Sequence, residues 1–363
     1  MLAQRIYLDH AATTPMRPEA IAAVEEGMRR WANPSSPHAE GRAARAALED
    51  ARARIKAALG WDGELIFTSG ASEAIAIAMA RAKAGSRLVS AIEHDSVLRV
   101  AGDAARIPVR PNGTIDLDIL QALIERAQSP LVAVQHVNSE LGAFQDAAAI
   151  RAMVAARDGL FFCDASQSAG KHPLPKADLI ALSAHKFGGP IGIGALLVRD
   201  FAMLDPSGGQ EFGYRGGTEN LPGALGMAAA LDATERMGDG AARWLADLQP
   251  ALLGLRMKVA DAGGNFIGGD GAGTAIAAIA MPGVKAAAQL IQLDSMGFAV
   301  SAGSACSSGS LKTSHVLEAI RTPPEVAEST IRVSVGWNTM AEDIARFAGA
   351  WQQIAQRARS RAA

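Results

Sequence analysis

Lysine is scarce in this chain, with eight among 363 residues, and one of the eight occupies an unusual place. Lys186 follows Ser183-Ala184-His185 at the end of an apolar run and precedes Phe187-Gly188-Gly189-Pro190, which forces a turn. A lysine there can form a Schiff base with a carbonyl; taken alone, it reads more readily as a surface residue after an edge strand. Asp164 supplies the context. It ends the strongly apolar Leu160-Phe161-Phe162-Cys163, which carries its carboxylate inward, where an unpaired charge is costly and a cationic partner is needed. A protonated pyridine nitrogen is such a partner. An acid for that nitrogen, together with a Schiff-base lysine, is the protein signature of pyridoxal phosphate, whose ring is an electron sink. Gln167 can donate to the 3′ oxygen of that ring, while the alternative for Asp164 is a cap on the following helix.

A phosphate needs a helix N-terminus with exposed backbone N–H groups. Ser69-Gly70-Ala71-Ser72 lies between an apolar run and a helix expected to begin near Glu73, with the flexibility and hydroxyl of such a cradle, although many strand–helix turns look alike. The rival segment from Gly188 to Gly194 fails the dinucleotide pattern because a strand follows it, and no Gly-Lys-Ser/Thr phosphate loop occurs. His94, between Glu93 and Asp95, can stack on an aromatic ring or move a proton, or be an ordinary hydrogen-bonded histidine. The two cysteines differ in kind. Cys163 sits inside an apolar strand as a buried thiol, whereas Cys306 sits in the small-residue loop from Ser301 to Ser310, where a mobile thiol could reach a ligand and swing away.

The elements that must position these groups alternate. A short strand over Ile6 to Leu8 leads to helices over Pro18 to Arg30 and Ala39 to Leu59. Apolar runs then follow at Leu65 to Phe67, Arg87 to Ser90, Leu131 to Gln135, Leu160 to Cys163, Leu179 to Leu182 and Gly194 to Val198, most of them separated by helical periodicity. Strands alternating with helices predict an α/β fold around a mostly parallel sheet, with ligands beyond the carboxyl ends of its strands. Five successive strand ends carry ligand-type groups: Thr68 to Glu73, Glu93-His94, His136-Val137-Asn138, Asp164 to Gln167, and Ser183 to Lys186. Leu221 to Ala262 reads as helical, Gly263 to Gly273 as a loop, Thr274 to Ala280 as a strand, Lys285 to Met296 as a helix and Ile331 to Val335 as a strand before a terminal amphipathic helix. A domain boundary is placed near Pro250.

Composition bounds the function classes. Hydrophobic residues make up 49%, charged residues 20%, and the net charge is -2, which excludes a disordered chain. A near-even balance of 35 basic and 37 acidic residues gives no general attraction to nucleic acid or anionic membrane. No apolar run approaches the roughly 20 residues of a membrane span, and Met1 to Asp9 has no apolar secretory core, so the chain is expected in the cytoplasm. Alanine reaches 76 residues, fitting close helix packing in an α/β enzyme.

In their order, Tyr7 to Pro15, Asn33-Pro34-Ser35-Ser36, Phe67 to Glu73, His136 to Glu140, Asp164 to Ser168, Ser183 to Lys186, Gly217-Thr218-Glu219-Asn220 and Gly303-Ser304-Ala305-Cys306 make the chain resemble the NifS/IscS-type cysteine desulfurases. These belong to the class V aminotransferase branch of fold-type I pyridoxal phosphate enzymes. The resemblance implies a large domain over residues 15–250 with a mostly parallel sheet, and a smaller α+β domain from residues 1–14 and 251–363. Lys186 would hold the cofactor as a Schiff base and shuttle a proton, Asp164 would pair with the ring nitrogen, Gln167 with the phenolic oxygen, and His94 would stack on the ring. Ala71, Ser72, Ser183 and His185 would hold the phosphate, with Thr218 reaching in from the second subunit of a homodimer. Asn33, Asn138 and Arg332 would orient the substrate carboxylate, and Cys306 would take sulfur from L-cysteine as a persulfide, releasing L-alanine and serving an acceptor such as an iron–sulfur scaffold. No metal is implied. Phe212 and Tyr214 stand where the family usually has arginines, Ile191 where lysine is common and Ser72 where threonine is frequent. A selenocysteine lyase, another aminotransferase-like relative, or a silent sulfur carrier are the alternatives; the last need not keep Lys186, Asp164 and Gln167 together.

Overall fold

The computed structural model describes residues 5–269, 273–302 and 314–362. The chain opens with β1 (Ile6–Tyr7), α1 (Pro18–Arg29) and α2 (Ala39–Leu59). It continues through β2 (Glu64–Thr68), α3 (Ala71–Arg81), β3 (Arg87–Ser90), α4 (Asp95–Leu98), β4 (Ala105–Ile107), α5 (Leu117–Arg126), β5 (Leu131–Ala133) and α6 (Ala147–Ala155). Then come β6 (Leu160–Asp164), β7 (Leu179–Ser183), β8 (Gly194–Val198), α7 (Leu221–Asp232) and α8 (Arg243–Asp261). The remainder comprises β9 (Asn265–Ile267), β10 (Ile276–Ala280), α9 (Ala286–Ser295), β11 (Phe298–Ala299), α10 (His315–Ala319), α11 (Pro324–Ala327), β12 (Thr330–Ser334) and α12 (Ala341–Ala362).

Among the described residues the largest sheet has seven strands in the order β2-β8-β7-β6-β5-β3-β4. The pairs β6–β7, β5–β6, β3–β5 and β3–β4 are parallel, while β8 runs antiparallel to both neighbours. The reversal has a physical cause. The β7–β8 connection is too short for the crossover a parallel pair needs. Along β6 and β7 side chains alternate between two cores: Phe161, Cys163, Ile180 and Leu182 pack on one face, Phe162, Leu179 and Ala181 on the other. Burial on both faces makes these strands read as unbroken apolar runs rather than alternating ones. Polar groups therefore appear only where the strands end. The alanine- and glycine-rich α7 is buried nearly all round and packs against α1 and α2.

A second group of elements surrounds a three-stranded antiparallel sheet, β12-β10-β9, and β1 pairs in parallel with β11 nearby. Its core joins Leu245, Leu255 and Val259 of α8 with Ile331, Val333, Phe347 and Trp351, and takes in Ile6 and Leu8 from the start of the chain. Pro250 lies inside α8. Two expectations differ from what folds: Leu221 to Ala262 is two helices rather than one continuous pattern, and the expected loop from Gly263 to Gly273 includes β9. With polar Asn265 and only three residues, β9 carries too little alternation to be seen in the sequence.

Candidate active site

All the described residues lining a cavity of about 450 Å³ lie between positions 69 and 192, at the carboxyl ends of the strands and in the turns that follow. One wall is the turn from β2 into α3. Gly70 has φ 153°, a conformation that side-chain-bearing residues rarely adopt, and it precedes a helix whose start has no side-chain cap. The first N–H groups of α3 therefore have no partner within the helix, and they carry its positive dipole end. Gly194 makes the close approach possible, since a Cβ there would fall 2.7 Å from Gly70 Cα. Ala71, Ser72 and, from the end of β7, Ser183 line this wall.

Opposite stands Lys186, on the single 3₁₀ turn after β7. Its Nζ donates to the carbonyl oxygens of Ala11 and Ala12, at 2.5 and 2.9 Å. Burial, followed by the positive charge of Arg332, lowers this amine to about 8, against the pull of Asp164 and Asp9. The segment Ala11–Thr14 ties the neighbourhood together. Gln167 Nε2 donates to Ala11 O at 2.9 Å, Thr14 N to His185 O at 2.8 Å, and His185 Nδ1 meets Thr13 Oγ1 at 3.0 Å. His185 is lowered to about 4 by burial, then by Lys186 and Lys171.

Asp164 closes β6 with its side chain at the cavity wall. Its Oδ1 accepts from Ser166 N at 2.9 Å and Ser166 Oγ at 2.5 Å, and among the described residues no donor reaches Oδ2. Gln167 keeps a buried Oε1 without a partner. His94 caps α4 through Nδ1, which accepts from Ser96 N at 3.2 Å and meets Ser96 Oγ at 2.7 Å, so its ring is held at the wall with Nε2 uncommitted. The cavity thus brings together Ala71, Ser72, His94, Asp164, Gln167, Ser183, His185 and Lys186.

The other expected residues stand apart. Asn138 is fully buried, and its amide serves the backbone: Nδ2 donates to Ile92 O at 3.2 Å and Oδ1 accepts from Glu140 N and Leu141 N at 2.9 and 2.8 Å. Arg332, on β12, lies behind the wall, with Nη1 on Ser139 O at 3.0 Å and Nη2 on Asp9 Oδ1 at 2.8 Å. Its buried Nε has no partner. Asn33 and Thr218 are exposed and do not line the cavity. Cys306 lies outside the described residues. The described chain leaves at Ser301–Ala302, where Ser301 pairs with Arg332, and resumes at Ser314, whose Oγ donates to Glu140 Oε2 at 2.6 Å.

The two aromatic departures have local roles. Phe212 lies over the Arg52 guanidinium, 4.9 Å from ring centroid to Cζ, where Arg52 holds the buried Glu211; Tyr214 stacks on Phe201 at 4.6 Å. Two buried titratable residues go beyond the sequence reading: Glu93, expected there only as a strand-end ligand-type group, and Lys171, which it missed. Glu93 is fully buried, accepts from Gln135 N at 2.7 Å, and is pushed well up by burial and by Asp164. Lys171 is buried and lowered to about 7, first by burial and then by Lys186 and Arg332. Its signal was available: a lysine four residues after Gln167, hidden in a turn.

Residues 6–347 match the family model described as aminotransferase class-V. The chain is 34% identical over 366 residues to "Cysteine desulfurase IscS" of Dictyoglomus turgidum, covering 94% of this chain and 92% of that protein. Among solved structures it resembles a NifS-like protein from Rickettsia africae, with a TM-score of 0.85, 29% identity, and 97% and 99% of the two chains covered. It also resembles a structure described as SspA in complex with cysteine, with a TM-score of 0.75, 28% identity, and 91% and 98% covered. A family model spanning nearly the whole chain, and a relative above one-third identity over almost its full length, establish that the chain belongs to the class V aminotransferase family, as a cysteine desulfurase of the NifS/IscS type.

Proposed function

We propose that the cavity binds pyridoxal 5′-phosphate and L-cysteine, and that the chain moves the sulfur of cysteine to Cys306 while releasing L-alanine. One observation carries this reading: a lysine lowered to about 8, a carboxylate with an uncommitted oxygen and an uncapped helix start face one cavity. The donor set fits the cofactor. An orphaned Oδ2 suits a protonated ring nitrogen, and free N–H groups with the Ser72 and Ser183 hydroxyls suit a phosphate. When bound, the cofactor supplies an electron sink for the pair left on carbon when a bond beside the substrate nitrogen breaks.

The protein's own groups do the rest. Ala71, Ser72, Ser183 and His185 would hold the phosphate, Asp164 would pair with the ring nitrogen, Gln167 would donate its second Nε2 hydrogen to the phenolic oxygen, and His94 would stack on the ring. Lys186 Nζ would hold the cofactor through its carbonyl carbon and would carry the substrate proton; its lowered pKa keeps a free electron pair available near neutral pH. Arg332, with Asn33 and Asn138, orients the carboxylate, for which a guanidinium is well shaped. Cys306 Sγ forms the new S–S bond as the substrate C–S bond breaks, and the carbon gains a proton. The anchoring of residues 301 and 314 beside Arg332 and Glu140 supports delivery of Cys306 to this cavity. The exposure of Asn33 and Thr218 suits residues that serve a second copy in a homodimer. The cysteine named with the SspA neighbour is consistent with the proposed substrate.

Among the described residues no helix is long and apolar enough to cross a membrane. We place the protein in the cytoplasm, delivering sulfur to an acceptor protein such as an iron–sulfur scaffold. We divide it into a large cofactor domain and a small domain at the start of α8 rather than at Pro250. The test is direct. Purified protein should show the visible absorption of bound cofactor and release alanine and sulfide from L-cysteine with a reductant. Cys306→Ala should keep the colour and lose sulfide release, and Lys186→Ala should lose the lysine-linked absorption. Sulfide production by Cys306→Ala at the parent rate overturns the persulfide step.

A further inference from the structure

Lys171 is a buried cation that the desulfurase reading leaves without a task. It is 3% exposed. Among the described residues its Nζ meets no hydrogen-bond acceptor and no carboxylate. The charged and titratable groups around it are Lys186 and Arg332, which oppose its proton, and His10, His172 and His185, on which it acts in turn. Arg17 joins them across a cavity of about 10 Å³ lined also by Lys186, Phe187, Trp244 and Trp337. That is at the lower limit for holding one water molecule, roughly 10–15 Å³. Lys186 therefore has two faces, one on the large cavity and one on the pocket it shares with Lys171.

Burying an amine without a partner is unfavourable, and an apolar side chain of similar volume would pack there at lower cost. Strongly perturbed groups in such positions cluster at functional sites. We propose, building on the cofactor site above, that Lys171 is a positioning residue that accepts a proton from Lys186 across their shared cavity, leaving Lys186 Nζ with a free electron pair for a carbonyl. One N–H bond breaks at Lys186, one forms at Lys171, and nothing is oxidised or reduced. The order of the two amines supports the transfer: Lys171 lies at about 7 and Lys186 at about 8, so Lys171 is the neutral partner while Lys186 is charged. The transfer runs from the stronger base to the weaker, uphill by about tenfold, and the loss of charge on Lys186 relieves the repulsion on Lys171. The two then titrate as a coupled pair.

The test uses the full-length protein with its eight lysines carrying ¹³C at Cε, titrated by NMR before and after loading with pyridoxal phosphate. In the cofactor-free parent the Lys171 midpoint should fall near 7, below that of Lys186, and loading should raise it by about one unit or more as an ammonium gives way to an anionic ligand. Lys171→Met should fold with a Tm at or above the parent's. Its Lys186 should titrate where the parent's does, because Lys171 is already neutral there, and cofactor uptake should slow by about threefold or more at pH 7 and converge with the parent at pH 9. A Lys171 midpoint near the ordinary lysine value in the parent overturns the proposal, whether or not any variant folds. So does cofactor uptake by Lys171→Met at the parent rate at pH 7. A parent that shows the coupled titration but takes up no pyridoxal phosphate overturns the cofactor reading instead.

Discussion

The carboxyl edge of the seven-stranded sheet and the smaller unit around β10 and β12 contribute to the site in opposite ways. The first supplies the whole described lining of the cavity, and does so from the ends of strands buried on both faces. The second supplies one guanidinium, Arg332, from behind the wall, and flanks the segment that contains Cys306. The difference shows how the labour is divided. A parallel sheet leaves its polar residues nowhere to go but one edge, which preorganises the cofactor-binding half. The antiparallel unit adds charge and flanks the segment of the proposed sulfur acceptor without rebuilding that edge.

The sharpest way to break this contrast is at the edge itself. Asp164→Asn keeps an oxygen for Ser166 N but removes the charge presented to the cavity, so kcat/KM for alanine release should fall by about 10²–10³-fold, as when a preorganised electrostatic partner is removed. The Tm should stay close to the parent's. A rate within threefold of the parent would mean that the edge does not carry the charge work assigned to it.

Acidification probes the junction. His136, His172 and His185 are each lowered to about 4, and His10 to about 3, chiefly by burial. His10 Nε2 meets Thr339 Oγ1 of the smaller unit at 3.3 Å, while the other three lie along the large sheet. Unfolding restores the ordinary value of about 6.5, so between that pH and about 4 the unfolded chain binds more protons. Stability from these groups is therefore complete above pH about 6.5 and is lost as pH falls toward 4. Thermal melts from pH 7 to 4 should show a falling Tm across that window; a flat profile would contradict neutral burial.

Arg332→Met tests the smaller unit's single contribution. It leaves the part-buried Asp9 carboxylate and the Ser139 carbonyl without their donor, so stability should drop by about 2 kcal/mol, as when a charge-assisted hydrogen bond is lost. KM for cysteine should rise. A lower Tm with an unchanged KM would confine Arg332 to bracing the wall.

Much of this was legible in the sequence because burial on both faces writes itself as apolar runs. Arg87–Ser90, Gly194–Val198 and α2 fall where expected, and the five strand ends converge as the parallel-sheet rule requires. The reversal of β8 was hidden because strand direction depends on connection length, not on apolar pattern. Lys171 escaped, and the burial of Glu93 was not foreseen, because a charged residue in a turn looks solvent-exposed until packing closes over it. Asn138 illustrates a further limit: its type suits a carboxylate, yet the local turn takes both ends of its amide.

The smallest effects separate Asn138 from Asn33, two residues that a resemblance groups together. Asn138→Ala strands the buried N–H groups of Glu140 and Leu141, so it should cost about 2 kcal/mol, an ordinary penalty for unsatisfied buried donors, with a matching fall in Tm. Asn33 is exposed, and among the described residues its Oδ1 accepts only from Ser35 N, at 2.9 Å. Asn33→Ala should therefore lower stability by only about 0.5 kcal/mol, within the range of surface substitutions. If Asn33 serves a cysteine carboxylate, as proposed, KM should rise while Tm barely moves, the reverse of the Asn138 pattern. Measuring Tm and KM for both variants separates a residue that holds the wall from one that meets the substrate, and an unchanged KM for Asn33→Ala removes that residue from the substrate site.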